Sequence, residues 1–344
     1  MYRSEMRAAI YREFAGPITV EEVPDPESPA DGVVIAVRAS GLCRSDVHGW
    51  QGRDPDVELP MVPGHELAGV VHEVGADVER WSVGDRVTVP FCCGCGVCDQ
   101  CRTGNTQICD DYFQPGFTAW GSFAQRVAIP AADLNLIGLP DDFDYPEAAI
   151  LGCRFITAYR AVVERGRLQR GEWLAVHGCG GLGLSAVAIG AATGGRVVAV
   201  DINYEALALA RLLGAEATVN ADEGSVADAV LEATGGGSHV SIDALGNADV
   251  AANALLGLRK LGRHVQAGLL NEGPAVMDVV ISRELEILGS HGMSVHSYDD
   301  VFGLAEGVDL SLLITRRLSL DELPAAMEEM LGFGGSGIFV VTEF

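Results

Sequence analysis

Residues 173–201 read WLAVHGCGGLGLSAVAIGAATGGRVVAVD, and this stretch decides the fold of the second half of the chain. A short apolar run is followed by a glycine-rich turn, a segment of helical composition and a second apolar run that ends in an aspartate. This order predicts a strand, a tight turn, a helix and a parallel strand, which together form the unit that binds dinucleotides. The predicted cofactor contacts in the turn are Gly178, Gly180, Gly181, Leu182 and Gly183.

The residue types in this unit also indicate which dinucleotide it binds. Glycines allow a tight turn and a close approach of the pyrophosphate, whose charge is favoured at the amino terminus of the helix. Asp201 ends the second strand, where a carboxylate can accept a hydrogen bond from a ribose 2′-hydroxyl and would repel a 2′-phosphate. The sequence therefore predicts NAD rather than NADP. The alternative is that Asp201 only caps the next helix.

Outward from this stretch, the chain divides into two regions with different patterns of predicted strands and helices. Strand-like and helical runs keep alternating towards RHVQAGLL at residues 263–270, which predicts a parallel sheet with helices on both faces. Ala267 and Leu269 in that run are further predicted cofactor contacts. Residues 6–130 instead contain short β-rich runs punctuated by Gly, Pro and Asp, as in a β-rich domain. A chain of 344 residues is expected to form two such domains.

The predicted domain boundaries lie where the sequence changes between these two patterns. The β-rich domain is expected to comprise residues 1–151 and 290–344, and the dinucleotide-binding domain residues 152–289. A cysteine-rich lobe at residues 91–110 is expected to project from the β-rich domain.

Composition excludes several classes of protein. The formal net charge is −25, with 48 acidic against 23 basic residues, so binding to nucleic acid or to an anionic membrane is not expected. No apolar run is long enough to span a bilayer, and the first residues lack the apolar core of a secretion signal, which predicts a cytoplasmic protein. Lys260 is the only lysine, which fits either a high-GC genome or adaptation to a salt-rich cytoplasm.

Nine cysteines in a chain expected to be cytoplasmic indicate metal binding or catalysis rather than disulfides. Three of the candidate ligands are dispersed along the chain, namely Cys43 in CRSDVH, His65 in GHELAG and Cys153 in LGCRFITA. Structural zinc sites usually have four ligands close together in sequence. Two thiolates and one imidazole from distant segments instead predict a catalytic zinc with one open coordination position.

A second, local set of cysteines predicts a structural zinc. Its members, spaced as C-x2-C-x2-C-x7-C, are Cys95, Cys98, Cys101 and Cys109. Four thiolates this close can wrap one zinc tetrahedrally and stabilise a lobe that has no core of its own. Cys92 lies three residues before Cys95, so a set of Cys92, Cys95, Cys98 and Cys101 that omits Cys109 remains an alternative.

Taken together, these motifs resemble the zinc-dependent alcohol dehydrogenases of the medium-chain dehydrogenase/reductase superfamily, most closely the short tetrameric microbial type. The resemblance covers essentially the whole chain through GHELAGVV, CGVCDQCRTGNTQIC, LGCRFITAYRAV and GCGGLG followed by Asp201. It implies a GroES-like catalytic domain and a Rossmann cofactor domain. It also implies two zinc ions per chain, NAD, oxidation of primary or secondary alcohols, and a homodimer or homotetramer.

The resemblance assigns roles to individual residues. Cys43, His65 and Cys153 are similar to the catalytic zinc ligands, and Glu66 to a neighbouring carboxylate that can enter the metal's coordination sphere. Asp46 resembles the acid that orients the ligand imidazole. The remaining implied roles are a pyrophosphate contact at Arg44, a nicotinamide contact at Thr157, a proton relay through Ser45 and His48, and a substrate pocket lined by Trp50 and Phe91.

One position departs from the family pattern, and two alternative functions stay open. Relatives often carry an arginine that reaches the cofactor phosphates where this chain has Gly337 and Ile338. A zinc-dependent polyol or amino-alcohol (threonine-type) dehydrogenase could share the scaffold, although polyol enzymes tend to place a carboxylate where Cys153 stands. The alternative outside enzymes is a zinc-binding protein that retains the fold.

Overall fold

A computed structural model describes residues 4–270, 272–274, 276–332 and 336–344. The chain divides into two compact units. The first unit comprises Met1–Cys153, Gly292–Tyr298 and Ile314–Phe344, and the second comprises Arg154–His291 and Asp299–Leu313.

The division differs from the predicted boundaries in one substantial respect. Residues 299–313 cluster with the second unit, whereas the sequence had suggested that they belong with the first. The reason is packing, because the turn at Leu310–Leu313 contacts the long helix Gly181–Ala192.

Fifteen strands are described. They are β1 (Glu5–Tyr11), β2 (Ile18–Pro24), β3 (Val33–Leu42), β4 (Glu66–Val74), β5 (Arg86–Thr88), β6 (Arg126–Ile129), β7 (Ile137–Gly138), β8 (Trp173–His177), β9 (Arg196–Asp201), β10 (Ala217–Asn220), β11 (Ser238–Asp243), β12 (Leu258–Gln266), β13 (Glu286–Gly289), β14 (Ile314–Ser319) and β15 (Ile338–Glu343).

The α-helices are short in the first unit and longer in the second. They are α1 (Arg44–Trp50), α2 (Asp99–Arg102), α3 (Ala132–Asn135), α4 (Tyr145–Ile150), α5 (Arg154–Tyr159), α6 (Gly181–Ala192), α7 (Tyr204–Leu212), α8 (Val226–Thr234), α9 (Ala248–Leu256), α10 (Met277–Arg283), α11 (Tyr298–Ala305) and α12 (Leu323–Glu329). A π-helical segment, Arg160–Arg165, continues α5. None of the helices described is both long and apolar enough to cross a membrane.

The first unit is built around a mainly antiparallel sheet in the order β14-β15-β3-β4-β5-β7, with β6 also pairing with β3. β3 lies at its centre because its residues are buried on both faces, so it can support a hydrophobic cluster on each side. The pairing of β3 with β4 sets Gly41 opposite Glu66. This register brings the segment after β3 next to the start of β4, where the candidate metal ligands lie.

The second unit contains a six-stranded parallel sheet in the order β10-β9-β8-β11-β12-β13. All five residues of β8 are buried, as expected for a central strand covered by helices on both faces. The strand order reverses between β8 and β11, which is where ligands bind at the carboxyl edge of such sheets. The predicted fold class, a β-rich GroES-like domain with a Rossmann domain, is confirmed.

Two buried histidines lie in the core of this sheet. His177 ends β8, and burial together with the neighbouring His264 lowers its pKa to about 3. His264 Nδ1 lies 2.9 Å from Ser241 Oγ, and burial also lowers the pKa of His264. Both rings are therefore neutral in the folded protein at neutral pH, and protonating them would place charge inside the sheet.

We expect His177 to make the folded state sensitive to acid. Its folded pKa lies below that of the unfolded chain, so the unfolded state binds more protons as the pH falls and the free energy of unfolding decreases. From His177 alone this decrease is about 2 kcal/mol between about pH 7 and pH 5. Urea unfolding of zinc-loaded wild type and His177→Gln should show a flatter pH dependence in the variant. The exposed His72→Gln serves as the control, and an unchanged slope in His177→Gln would contradict the assignment.

Candidate active site

Four buried side chains of the first unit converge on one point. Cys43, His65, Glu66 and Cys153 each offer one ligand atom, and these atoms all lie within 4.8 Å of one another. Cys43 directly precedes α1, His65 and Glu66 lie at the start of β4, and Cys153 follows α4. The structure thus brings together the three dispersed residues that the sequence singled out, with Glu66 beside them.

The orientation of His65 shows that this cluster fits a metal ion. His65 Nδ1 lies 2.9 Å from Asp46 Oδ1, and both side chains are fully buried. Burial lowers the pKa of His65, but the Asp46 carboxylate outweighs it and holds the pKa well above the usual value. His65 Nε2 is buried and has no hydrogen-bond partner among the described residues. A metal ion bound by Cys43, Cys153 and Nε2 would satisfy this atom, and two sulfurs with one imidazole suit zinc.

Asp46 organises more than the imidazole. Its carboxylate also accepts hydrogen bonds from the backbone N–H groups of Cys43, at 2.9 Å, and Gly64, at 3.0 Å. One buried carboxylate therefore fixes the backbone beside two candidate ligands as well as the ring of His65. This is the arrangement expected of a residue that orients metal ligands.

Two aromatic rings pack edge-on against His65. The ring centroid of Phe91 lies 6.1 Å from that of His65, and the centroid of Phe117 lies 5.4 Å away. Phe91 was expected at the substrate pocket, whereas Phe117 was not singled out. It belongs to an irregular loop, and no spacing or motif in the sequence connects it with His65.

Helix α1 places the two predicted relay residues close to the metal ligands. Ser45 Oγ lies 3.8 Å from Cys43 Sγ. His48 lies one turn further along and is partly buried. Burial, followed by the guanidinium groups of Arg44 and Arg53, lowers the pKa of His48. A ring that is neutral near pH 7 can accept a proton, as a relay requires.

The other two predicted residues of α1 have contacts of their own. The Arg44 guanidinium donates a hydrogen bond to the carbonyl oxygen of Met330, and burial lowers its pKa. Trp50 is buried in a hydrophobic cluster, and its indole N–H donates to the carbonyl oxygen of Gly16 at 2.8 Å. Packing thus accounts for much of the Trp50 surface, and its place in a substrate pocket stays a prediction.

The cysteine-rich lobe forms a second metal-ligating cluster. The ligand atoms that lie within 4.8 Å of one another belong to Cys95, Cys98, Cys101 and Cys109. Cys98 caps α2, because its sulfur accepts a hydrogen bond from the backbone N–H of Cys101. The sulfur of Cys109 accepts from the backbone N–H groups of Cys95 and Asp111. Such N–H donors stabilise thiolates, which are the form that binds zinc.

The pKa values of two of these sulfurs are shifted in opposite directions. Backbone N–H groups of Cys101 and Asp110 lower the pKa of Cys98 to about 6, whereas burial raises the pKa of Cys109 to about 12. A divalent cation is needed to hold all four as thiolates. Cys92, the alternative ligand, is not part of this cluster among the described residues, and burial raises its pKa well above the usual value.

In the second unit, the glycine turn follows β8 directly, at the carboxyl edge of the sheet. A Cβ on Gly183 would lie 1.7 Å from the carbonyl oxygen of Gly178, so only glycine allows α6 to pack this closely on the turn. A Cβ on Gly180, by contrast, would meet nothing within 4 Å. Gly180 therefore leaves space beside the amino terminus of α6, where a pyrophosphate can approach the backbone N–H groups.

Asp201 is tied to the glycine turn. One carboxylate oxygen accepts a hydrogen bond from the backbone N–H of Cys179 at 2.6 Å, and the other accepts from Asn203 N–H at 2.8 Å. The cap of α7 is Asn203, not Asp201, so the alternative interpretation of Asp201 as a helix cap is not what the structure shows. Each oxygen retains a lone pair that can accept a hydrogen bond from a ribose hydroxyl.

A buried acid that sequence reasoning missed organises the next two loops. One oxygen of Asp243, at the end of β11, accepts from Leu245 and Gly246 N–H at 2.8 and 3.0 Å. The other accepts from the Gln266 amide at 2.8 Å, and that amide also donates to the Gly268 carbonyl oxygen at 2.7 Å. No motif marks Asp243. The only available signal was a polar residue at the end of a buried strand.

The remaining predicted cofactor contacts occupy the same unit. Thr157 is buried on α5, Ala267 is partly buried, and Leu269 exposes 81% of its surface in the loop after β12. Gly337 directly precedes β15 and Ile338 begins it, so no side-chain cation stands at the position where relatives often have arginine.

Comparisons with known proteins agree with this geometry. Residues 29–141 match the family model "Alcohol dehydrogenase GroES-like domain", and residues 181–307 match "Zinc-binding dehydrogenase". The chain is 31% identical to an NAD-dependent alcohol dehydrogenase of Sulfurisphaera tokodaii, covering 96% of this chain and 98% of the relative. It is also 31% identical to an L-threonine 3-dehydrogenase of Rhizobium etli, covering 98% of each.

A solved structure shows the same fold over nearly the whole chain. The alcohol dehydrogenase of the hyperthermophilic archaeon Aeropyrum pernix superposes with a TM-score of 0.89 at 30% identity, covering 98% of this chain and 99% of the other. The chain belongs to the zinc-dependent alcohol dehydrogenase family of the medium-chain dehydrogenase/reductase superfamily. The resemblance predicted from the sequence motifs is confirmed.

The two possible ligand sets of the lobe can be distinguished by substitution. Because Cys109 lies in the cluster, Cys109→Ser should lose one zinc per chain and lower the unfolding midpoint by about 5 °C or more. Cys92→Ser should keep both zinc ions and cost less stability. Elemental analysis and thermal unfolding measure both quantities. The reverse pattern, with zinc lost only in Cys92→Ser, would support the alternative set.

Proposed function

We propose that this chain is a zinc-dependent alcohol dehydrogenase that oxidises primary or secondary alcohols reversibly to aldehydes or ketones, with transfer of hydride to NAD. The observation that carries the proposal is the buried convergence of Cys43, His65 and Cys153 around an unsatisfied imidazole nitrogen. Membership of the family, and a relative described as NAD-dependent, support it.

Cys43, Cys153 and His65 Nε2 would hold the catalytic zinc, with one position left for the substrate oxygen. Zinc bound there lowers the pKa of a coordinated alcohol, so that the alcohol can lose its proton near neutral pH. Asp46 keeps the proton of His65 on Nδ1 and leaves the Nε2 lone pair for the metal. Glu66, which lies among the ligands, would offer a carboxylate oxygen as a further ligand of the ion.

The proton of the alcohol needs a route from the buried site to solvent. Ser45 Oγ, beside Cys43, is placed to accept the hydrogen bond of the substrate hydroxyl. His48, whose lowered pKa leaves it neutral, is proposed to receive the proton and release it to solvent.

The second unit is proposed to hold NAD at the carboxyl edge of its sheet. Gly178, Gly180, Gly181, Leu182 and Gly183 would cradle the pyrophosphate at the amino terminus of α6. Asp201 would accept a hydrogen bond from the adenosine ribose. The further contacts proposed are Arg44 to the pyrophosphate, Thr157 beside the nicotinamide, and Ala267 and Leu269 in the loop after β12.

Simple alcohols fit the metal site better than polyols do. Phe91 and Phe117 present apolar ring surfaces beside His65, and Cys153 offers a sulfur where a polyol enzyme would tend to have a carboxylate. Trp50 is proposed as a further wall of the pocket, held in place by its hydrogen bond to Gly16. An amino alcohol such as threonine is the second candidate substrate, because a relative of equal identity carries that activity in its name.

We also propose that Cys95, Cys98, Cys101 and Cys109 hold a structural zinc, and that the chain assembles as a homodimer or homotetramer. The outer strand β13 ends the parallel sheet with one edge unpaired among the described residues. Its Ile287 exposes 45% of its surface, so a second copy could extend the sheet there. The cytoplasmic location predicted from the sequence remains a prediction.

The experiment that tests the function combines metal analysis with a substrate panel. We expect two zinc ions per chain, and NADH formation with primary or secondary alcohols that exceeds the rates with polyols and threonine. Cys153→Ser should lose one zinc and reduce kcat/KM by about 10³-fold or more, because it removes a ligand of the catalytic metal. One zinc and no turnover with any substrate would support the binding protein instead. Turnover with threonine alone would support the amino-alcohol dehydrogenase.

A substitution of Asp243 tests the proposed NAD site of the second unit separately from the metal site. Asp243→Asn keeps the size of the side chain but places an NH2 group against the Gln266 amide, so the two loops should lose their order. We expect the Kd for NADH to rise about tenfold, which corresponds to ~1.4 kcal/mol, with zinc content unchanged. Fluorescence titration measures the Kd, and the exposed Asp249→Asn is the matched control. A lower melting temperature with an unchanged Kd would show a purely structural role.

A further inference from the structure

A cavity of about 450 Å³ lies at the amino-terminal edge of the parallel sheet. Its walls come from the segment before β8 and from β11, β12 and the start of β13, whereas the glycine turn follows the carboxyl end of β8 and Asp201 ends β9. The two places are therefore at opposite edges of the sheet. Four basic side chains line this cavity against two carboxylates, although the chain as a whole carries a net charge of −25.

Two of the four cations are neutralised within the cavity. Arg263 pairs with Glu172 at 2.5 Å, and Arg167 pairs with Glu286 at 2.5 Å. Arg259 and Lys260, the only lysine of the chain, have no carboxylate partner among the described residues. The cavity therefore has an excess of two positive charges on neighbouring residues.

The hydrogen bonding of His239 sets a ring N–H against the guanidinium of Arg259. His239 Nδ1 accepts a hydrogen bond from the backbone N–H of Trp173 at 3.0 Å, so the neutral ring carries its proton on Nε2. Nε2 lies 2.7 Å from Nη1 of Arg259, which can only donate. Two donors thus face each other. Protonating the ring does not resolve this, because Nδ1 would then oppose the Trp173 N–H as well.

We propose that this cavity binds a phosphate group, free or carried by a small molecule, with Arg259, Lys260 and His239 Nε2–H as its donors. A phosphate oxygen between Arg259 and His239 accepts from both groups and removes the donor–donor contact. A guanidinium suits an oxyanion through its fork of N–H groups, and Lys260 adds a mobile point charge. Arg263 and Arg167 remain paired with their carboxylates and form the walls. The site does not depend on the proposed alcohol dehydrogenase activity.

Calorimetric titration of the zinc-loaded protein, saturated with NADH, tests this proposal, because bound NADH keeps phosphate away from the cofactor site. Inorganic phosphate and glycerol 3-phosphate are titrated separately at constant ionic strength. We expect saturable binding of at least one of them, with a Kd of ~1 mM or tighter. Binding of the free anion alone identifies free phosphate as the ligand, and binding of the ester alone identifies a phosphate ester. No saturable binding of either would overturn the proposal.

Substitutions then locate the site. Arg259→Gln and Lys260→Gln should each weaken the binding about fivefold or more, because each removes a charged donor. Arg170→Gln removes the same charge from an exposed position of the second unit outside the cavity and should leave the binding unchanged. NADH affinity reports whether each variant is folded, and Lys260 is exposed, so its replacement should be tolerated. Phosphate binding that is equally strong in all variants would place the anion elsewhere and refute the assignment.

Discussion

The hydrogen bond between Asp46 and His65 is the interaction on which the first unit depends. Both groups are buried, and the bond directs the ring so that Nε2 points away from Asp46 without any partner in the described chain. Leaving a buried ring nitrogen unsatisfied costs about 1–3 kcal/mol. A metal ion would offset that cost and would also bind the sulfurs of Cys43 and Cys153, which the pairing of β3 with β4 and the end of α4 bring to the same point.

In the second unit, carboxylates at the ends of buried strands likewise fix the neighbouring loops through hydrogen bonds. Asp243 accepts three N–H donors and so joins the loop after β11 to the loop after β12. Asp201 joins the glycine turn to the start of α7. In each case a charged group is kept at the carboxyl edge of the sheet by backbone and amide donors rather than by a cation. The first residues of these loops are therefore fixed before a dinucleotide arrives, which lowers the entropy lost on binding.

A feature of the fold or of the candidate site could be predicted when residues close together in the sequence determine it, and not when its contacts come from remote segments. The glycine turn could be predicted because neighbouring residues impose it, as the 1.7 Å approach of a Gly183 Cβ to Gly178 shows. The dispersed candidate zinc ligands could be singled out by residue type, and the resemblance to a family then assigned their roles. No motif in the sequence marks Phe117 or Asp243, because the residues that they contact come from remote segments. Residues 299–313 were misplaced for the same reason, since a turn beyond α11 packs on α6. The roles of the individual site residues remain predictions.

The double attachment of Asp201 has a consequence for the choice of cofactor in this protein. The same carboxylate that would repel a 2′-phosphate also anchors the backbone at Cys179, in the middle of the glycine turn. Evolution or protein engineering could not relax the predicted discrimination against NADP by simply deleting this side chain, because the turn would lose its anchor at the same time. A switch of coenzyme would have to supply a new acceptor for the Cys179 amide together with a cation for the added phosphate, which requires at least two coordinated changes.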